Sequence, residues 1–304
     1  MKMATNYFAI RRMEIESLLQ KEQEMNRYKA DLNRMYRQMD NDVQVELDRY
    51  LVRFEESVSN VDLDDYQEHL RRFEMEDMSN AGLPHSRLEL TQKRIETITA
   101  SSAEEEIRRL TLQIEEEYRE EYLRRLEQMS GTIDMSTSPA QLKRLAIAAV
   151  KQRHHGRHFS SRVWESQKEM QAELDNIIRR AISLGENPVE NAPRLKRFVK
   201  ESVNKKAYAA RRLAHTETQN VQFTASNQMF RDYFEEDASY DWLAEDDEAT
   251  CEICGELGSG GPYTLNELDS IGTPHPNCRC SYTISSSYLK ELRKARGLER
   301  GDHD

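Results

Sequence analysis

Apolar residues along this chain fall into spaced stripes rather than blocks. Between residues 5 and about 57, Phe8, Met13, Leu18, Met25, Tyr28, Leu32 and Tyr36 recur mostly at three- to five-residue steps among Glu, Lys and Arg. That period predicts one or two long amphipathic helices. The step drifts, so the stripe is not a strict heptad. "SVSNVDLDD" at 57–65 breaks it and offers caps for a helix through "YQEHLRRFEMEDM", and "NAGLP" at 80–84 is a second break. Ser102 stands three residues before Glu105, the spacing of a capping box. It predicts the start of a helix with Ile107, Leu110, Ile114, Tyr118 and Tyr122 on one face. Ser138, Pro139 and Gln141 mark another start, and "SRVWESQKEMQAELDNIIRRAISLG" reads as a helix stopped by Gly185. "ENPVENAP" at 186–193 separates it from one long or kinked helix over 194–234.

After Ser239 the texture changes. "YDWLAE" and "CRCSYTIS" read as strands, and "GELGSGGPYT" between them as loop. The resulting fold class is mainly α: a long-helix body with a small C-terminal α+β module that carries a Cys/His cluster. The expected regions are 1–136 as an N-terminal long-helix region, 137–204 as a basic helical region and 205–304 as the C-terminal module. Stripes this thin imply helices that gain order by lying on another surface, so that residues 1–58 would be removable without unfolding the C-terminal module.

Composition agrees with long solvated helices. Of 304 residues, 37% are hydrophobic and 33% charged, with only 11 Gly and 7 Pro. The start of the chain has no signal-peptide pattern, and the longest apolar run, "LAIAAV", is too short to cross a bilayer. A protein made in a cytoplasm, with no membrane partner, is the expectation. The net charge of −11 is unevenly spread. Residues 143–212 hold 17 Lys and Arg against 7 Asp and Glu, whereas 213–250 hold one basic and ten acidic residues. The basic belt suits polyanions such as double-stranded DNA. Lys151, Arg153 and Arg157 in "KQRHHGRH", and Lys196, Arg197 and Lys200 further on, are its candidate contacts.

All four cysteines lie within thirty residues. Cys251 and Cys254 form a C-x-x-C, and His275, Cys278 and Cys280 follow about twenty residues later. If "CRC" is extended, Cys278 and Cys280 share a face and Arg279 takes the other. Five candidate ligands for the four positions of tetrahedral zinc result; all-cysteine and three-cysteine-one-histidine sets both stay open. The alternative is ordinary thiols or a disulfide. "HTE" at 215–217 with "CEIC" formally follows the pattern of zinc nucleobase deaminases. However, Thr250 stands where that pattern has Pro, and the chain lacks the sheet such a fold needs. No Gly-rich phosphate loop, H-E-x-x-H or G-x-S-x-G is present.

"RRLAHTETQNVQFTASNQMF", "YDWLAEDDEATCEICGEL" and "GTPHPNCRCSYT", in that order, resemble the phage head morphogenesis family, the group of the Mu F protein and the SPP1 minor head protein. Thr216, Glu217, Trp242, Asp246 or Asp247, Cys251, Cys254, His275, Pro276, Cys278, Arg279 and Cys280 fall on the family's points. His215 departs from the Arg that commonly precedes Thr-Glu there. The resemblance covers about residues 205–284. It implies a non-enzymatic minor capsid protein of the virion interior, present in the host cytoplasm during assembly. It would join the procapsid beside the portal or major capsid protein and assist DNA packaging or ejection. The alternatives are a DNA-binding adaptor built on the 143–212 belt and, behind it, a deaminase-like zinc enzyme.

Overall fold

In the computed structural model the described residues are 7–58, 87–129, 136–154, 156–183, 188–244, 250–275, 278 and 280–295. The expected helix at 66–78, the "NAGLP" break, Gly185, Asp246, Asp247, Pro276 and Arg279 lie outside them. Among the described residues eight helices dominate: α1 (Tyr7–Val58), α2 (Arg87–Met129), α3 (Pro139–Val150), α4 (Phe159–Ser183), α5 (Pro188–Tyr233), α6 (Glu252–Gly260), α7 (Leu265–Ile271) and α8 (Ser286–Ala295). Strands β1 (Ser239–Leu243), β2 (Tyr263–Thr264) and β3 (Ser281–Ile284) complete the C-terminal module. The mainly helical body with a small strand-and-helix module is as the residue pattern predicts. No described helix is long and apolar enough to cross a membrane.

Three local expectations are overturned. Ser102 does not start a helix: α2 already runs from Arg87, and the Ser102 hydroxyl donates to the Ile98 carbonyl one turn back at 3.1 Å. Thr97 and Thr99 spend their hydroxyls the same way, so the short polar side chains are absorbed without breaking the helix. Residues 188–193 are not a separator but the first turns of α5. Pro188 occupies the first helical position, where no N–H is needed, and Pro193 lies one turn further in. Finally, much of "GELGSGGPYT" is helical. Cys251 caps α6, its sulfur accepting from the Cys254 N–H at 3.4 Å. Glycine at 258 lets α6 come close to β1's end, since a Cβ there would meet that of Ala244 at 3.2 Å. By contrast, Ser138 caps α3 as expected, accepting from the Gln141 N–H at 3.1 Å with Pro139 behind it.

The chain divides into two compact units: residues 1–27, 109–158 and 212–304, and residues 28–108 and 159–211. Helices α1, α2 and α5 supply residues to both. In the second unit the α1 stripe is already covered: Leu32, Met39, Val43, Leu47 and Phe54 are all buried. They pack in a core with Ile95 of α2, Val163, Leu174 and Ile178 of α4, and Leu195 and Val199 of α5. Each such side chain contributes about 1.5–3 kcal/mol when fully buried. The thin stripe therefore has an internal use. Below this core, the Tyr36 hydroxyl and the Lys206 ammonium both donate to the Glu106 carboxylate, at 2.5 and 3.0 Å.

In the first unit the three strands are antiparallel in the order β2-β1-β3, with Trp242 opposite Tyr282 and Tyr240 opposite both Tyr263 and Ile284. Phe223 and Phe230, two turns apart on α5, pack on this sheet. Their rings lie 5.2 Å and 5.8 Å from Tyr282, and Phe230 lies 4.8 Å from Tyr240. The seven-residue spacing puts both rings on one helical face, so a single stripe of α5 seats the sheet.

Candidate metal centre

The cluster is built by three local devices. The α6 N-terminus places Cys251 as cap and Cys254 one turn on, facing inward; Cys254 is 1% exposed. The α7 C-terminus ends on Gly272, whose φ of +56° suits a residue without a Cβ. From there the chain turns back to His275, and the Cys278 N–H donates to the His275 carbonyl at 3.2 Å. Cys278 and Cys280 then lead into β3, both buried.

These devices bring all five candidate ligands together. Cys251, Cys254 and His275 form one group and Cys254, Cys278 and Cys280 another, each with its ligand atoms within 4.8 Å of one another. Cys254 belongs to both. Its Sγ lies 3.7 Å from Cys278 Sγ and 3.3 Å from His275 Nε2. In a tetrahedron with ~2.3 Å zinc–sulfur and ~2.05 Å zinc–nitrogen bonds, the edges are about 3.8 Å between sulfurs and about 3.5 Å from sulfur to nitrogen. The spacing thus fits a tetrahedral centre, and all four cysteines are free thiols. Burial, with hydrogen bonds from Cys280 and Cys251, pushes the Cys254 thiol up to about 12. The hydrogen bond with Cys280, then burial, pushes Cys278 higher still. A divalent cation is what reverses such shifts, because it binds the thiolate directly. Three buried cysteines in the set suit a closed, structural centre rather than one with an open position.

The other sequence candidates separate. Thr216 donates its hydroxyl to the Arg212 carbonyl at 2.9 Å. Glu217 is buried on α5, 3.8 Å from His154 Nε2. His215, also buried, is in neither metal group, so the deaminase pattern of "HTE" with "CEIC" is not assembled around the cysteines. Trp242 packs against Phe223 at 5.6 Å. Asp246 and Arg279 lie outside the described residues. Of the basic candidates, Lys151, Arg153 and Arg157 are exposed around a turn where His154 and Arg157 bridge through their backbones. Lys196 pairs with Asp48, and Arg197 lies 3.9 Å from Glu201, whereas exposed Lys200 has no ionic partner among the described residues.

Sequence reasoning missed the most connected group in the first unit. Arg125, 1% exposed, donates to both oxygens of Glu14 at 2.7 and 2.9 Å. It also donates to Glu121 at 2.9 Å, Ser226 at 3.0 Å and Ser281 at 2.9 Å. Helices α1, α2 and α5 and strand β3 thus meet on one guanidinium, which also lies 5.9 Å from the Phe230 ring and 5.8 Å from that of Tyr282. A sequence signal existed: Arg125 continues the stripe of Ile114, Tyr118 and Tyr122. Glu14, from within residues 1–58, supplies this carboxylate to a core that also holds Ser281 of β3, a contact the expectation of a removable segment did not include.

No curated protein and no solved structure matches the chain. One family does, that described as Phage Mu protein F like protein, over residues 172–283, from within α4 through α5, the sheet and the Cys/His cluster. Those 112 of the 304 residues carry Thr216, Glu217, Trp242 and all five cluster donors, and over them the chain is similar to the phage Mu F-like family, a match that supports a head morphogenesis or minor capsid family.

Proposed function

We propose that the protein is a minor capsid component that joins the procapsid in the host cytoplasm, associates with the portal inside the head, and assists DNA packaging or ejection without catalysis of its own. The observation that carries this reading is the family-matched segment, in which Cys254, Cys278 and Cys280 are buried and gathered with half-buried Cys251 and His275. The cluster would hold one structural Zn²⁺, with Cys254 and three of Cys251, His275, Cys278 and Cys280 as ligands. The ion supplies a cross-link that a module this small needs because it buries little apolar surface. Residues from α1, α2 and α5 then make the module part of a larger helical unit, which presents its outer faces to a protein partner. The acidic 232–248 segment repels DNA and suits a basic portal or capsid surface.

Affinity capture of the tagged protein from cells assembling particles tests this. The portal protein should co-purify, and mature heads should contain the protein. Normal capture of portal by a Cys254→Ser, Cys278→Ser variant that has lost the module's fold would sink the role given to the module. Failure to capture any head protein would sink the reading as a whole.

A further inference from the structure

Within the second unit four cations of the basic belt are paired. Lys196 pairs with Asp48, Arg197 with Glu201, Lys205 with Glu173 at 2.8 Å and Lys206 with Glu106 at 3.0 Å. Lys200 of the belt is not paired in this way and stands beside Arg37 of α1 and Arg211 of α5. A groove of about 460 Å³ runs between α1 and α5. The two helices are antiparallel there, because Arg211 meets Asn33 whereas the Lys196 carbonyl accepts from Gln44 at 3.2 Å. The floor is apolar and buried: Tyr36, Val203 and Ala207. The rim carries Arg37, Lys200 and Arg211 against a single carboxylate, Asp40, with the amides of Asn41 and Asn204 between them. Arg37 and Lys200 are exposed and have no ionic partner among the described residues, and Asn41 and Asn204 have no hydrogen-bond partner there.

We infer that this groove binds the phosphate backbone of nucleic acid. Lys200 and Arg211 are eleven residues apart on α5, about 16 Å along the axis, and Arg37 faces them from α1. One free anion cannot touch cations spread so far, whereas a strand with a phosphate every ~3.4 Å along the duplex axis can. Amide groups between the cations are the usual second donors to phosphate and sugar oxygens, and such contacts carry no base preference. The inference is independent of portal docking, and it moves the DNA contact from the 151–157 turn to the α1–α5 groove.

The test uses the full-length protein and a short random-sequence DNA duplex, with affinity measured between about 50 and 200 mM salt. Three phosphate contacts give a log–log slope of about −2.7, a loss of roughly 40-fold over that range. The exposed pair Arg37→Gln with Lys200→Gln should leave a slope near −0.9, a loss of only about 3–4-fold, with an unchanged melting temperature. The triple variant Lys151→Gln, Arg153→Gln, Arg157→Gln should keep the wild-type slope. A pair variant with the wild-type slope overturns the inference, as does a triple variant that abolishes it. Competition by inorganic phosphate at matched ionic strength would make the groove a single-anion site, and equal binding of polyglutamate would make it an acidic-protein site; either result also overturns it.

Discussion

Removing the carboxylate of Glu14 should unfold the first unit far more readily than its place near the chain start suggests. The side chain is 0% exposed and the guanidinium it faces is 1% exposed, so neither charge is solvated by water. Glu14→Ala leaves Arg125 buried with Glu121 as its remaining anion, and Gln128 loses its acceptor at 2.8 Å. Breaking a buried pair from one side costs about 3–5 kcal/mol. Against a total stability of roughly 5–15 kcal/mol this is a large share, and at ~2–4 °C per kcal/mol it lowers the melting temperature by roughly 6–20 °C. The assay is urea unfolding followed by Trp242 fluorescence in a Trp164→Phe background, since those are the two tryptophans and Trp242 alone belongs to the first unit. The combined Glu14→Met, Arg125→Met variant removes both charges and should recover much of the loss, because well-packed apolar replacements of a buried pair are often neutral. Acid gives the same reasoning a sign. Burial alone would raise the Glu14 carboxyl, but Arg125, Lys21, Arg124 and the Ser281 hydroxyl outweigh it and hold it well below the usual range. Its contribution is therefore complete above the unfolded value of about 4.3 and is lost as pH falls from there toward the depressed folded value. A Glu14→Ala protein within ~0.5 kcal/mol of the parent, or a double variant as unstable as the two single losses added, would refute the argument.

Four further outcomes are expected. Protein purified under reducing conditions should carry about one zinc per chain by elemental analysis, and a chelator should lower the Trp242 transition while sparing that of Trp164. Cys254→Ser should lower zinc content more than Cys251→Ser, because Cys254 alone belongs to both ligand groups; equal losses would contradict a shared ligand. Phe230→Ala should cost about 3–5 kcal/mol in the first unit by the same fluorescence assay, since it sits fully buried among Tyr240, Tyr282 and Phe234. Ser138→Ala should cost about 1 kcal/mol, read as a melting shift of a few degrees, through loss of the α3 cap.

The sequence by itself determined the helical body, the α3 start at Ser138 and Pro139, the strands β1 and β3 around Trp242 and Tyr282, and the five donors of the cluster. Those features rest on local rules: a period, a cap, a C-x-x-C. It also carried the family motif, because that motif is a linear order of residues. Local rules failed where packing or geometry outvoted them. Ser102 and Glu105 have capping-box spacing, yet Ser102 lies mid-helix. The box that forms is Thr264 with Glu267, whose N–H donates to the threonine hydroxyl at 3.3 Å. The glycines of 255–260 read as loop, but a sulfur cap and a close approach to Ala244 hold them helical. Tertiary structure alone decided which charges count. Glu14 and Arg125 are 111 residues apart and look like any solvated pair in a polar helix; only chain folding reveals that water is excluded from both. The same holds for the basic belt, whose charge is a sum in the sequence but in space is partly cancelled, as in Lys196 with Asp48 and Lys206 with Glu106, while exposed Lys200 faces a groove that Arg37 of α1 also lines.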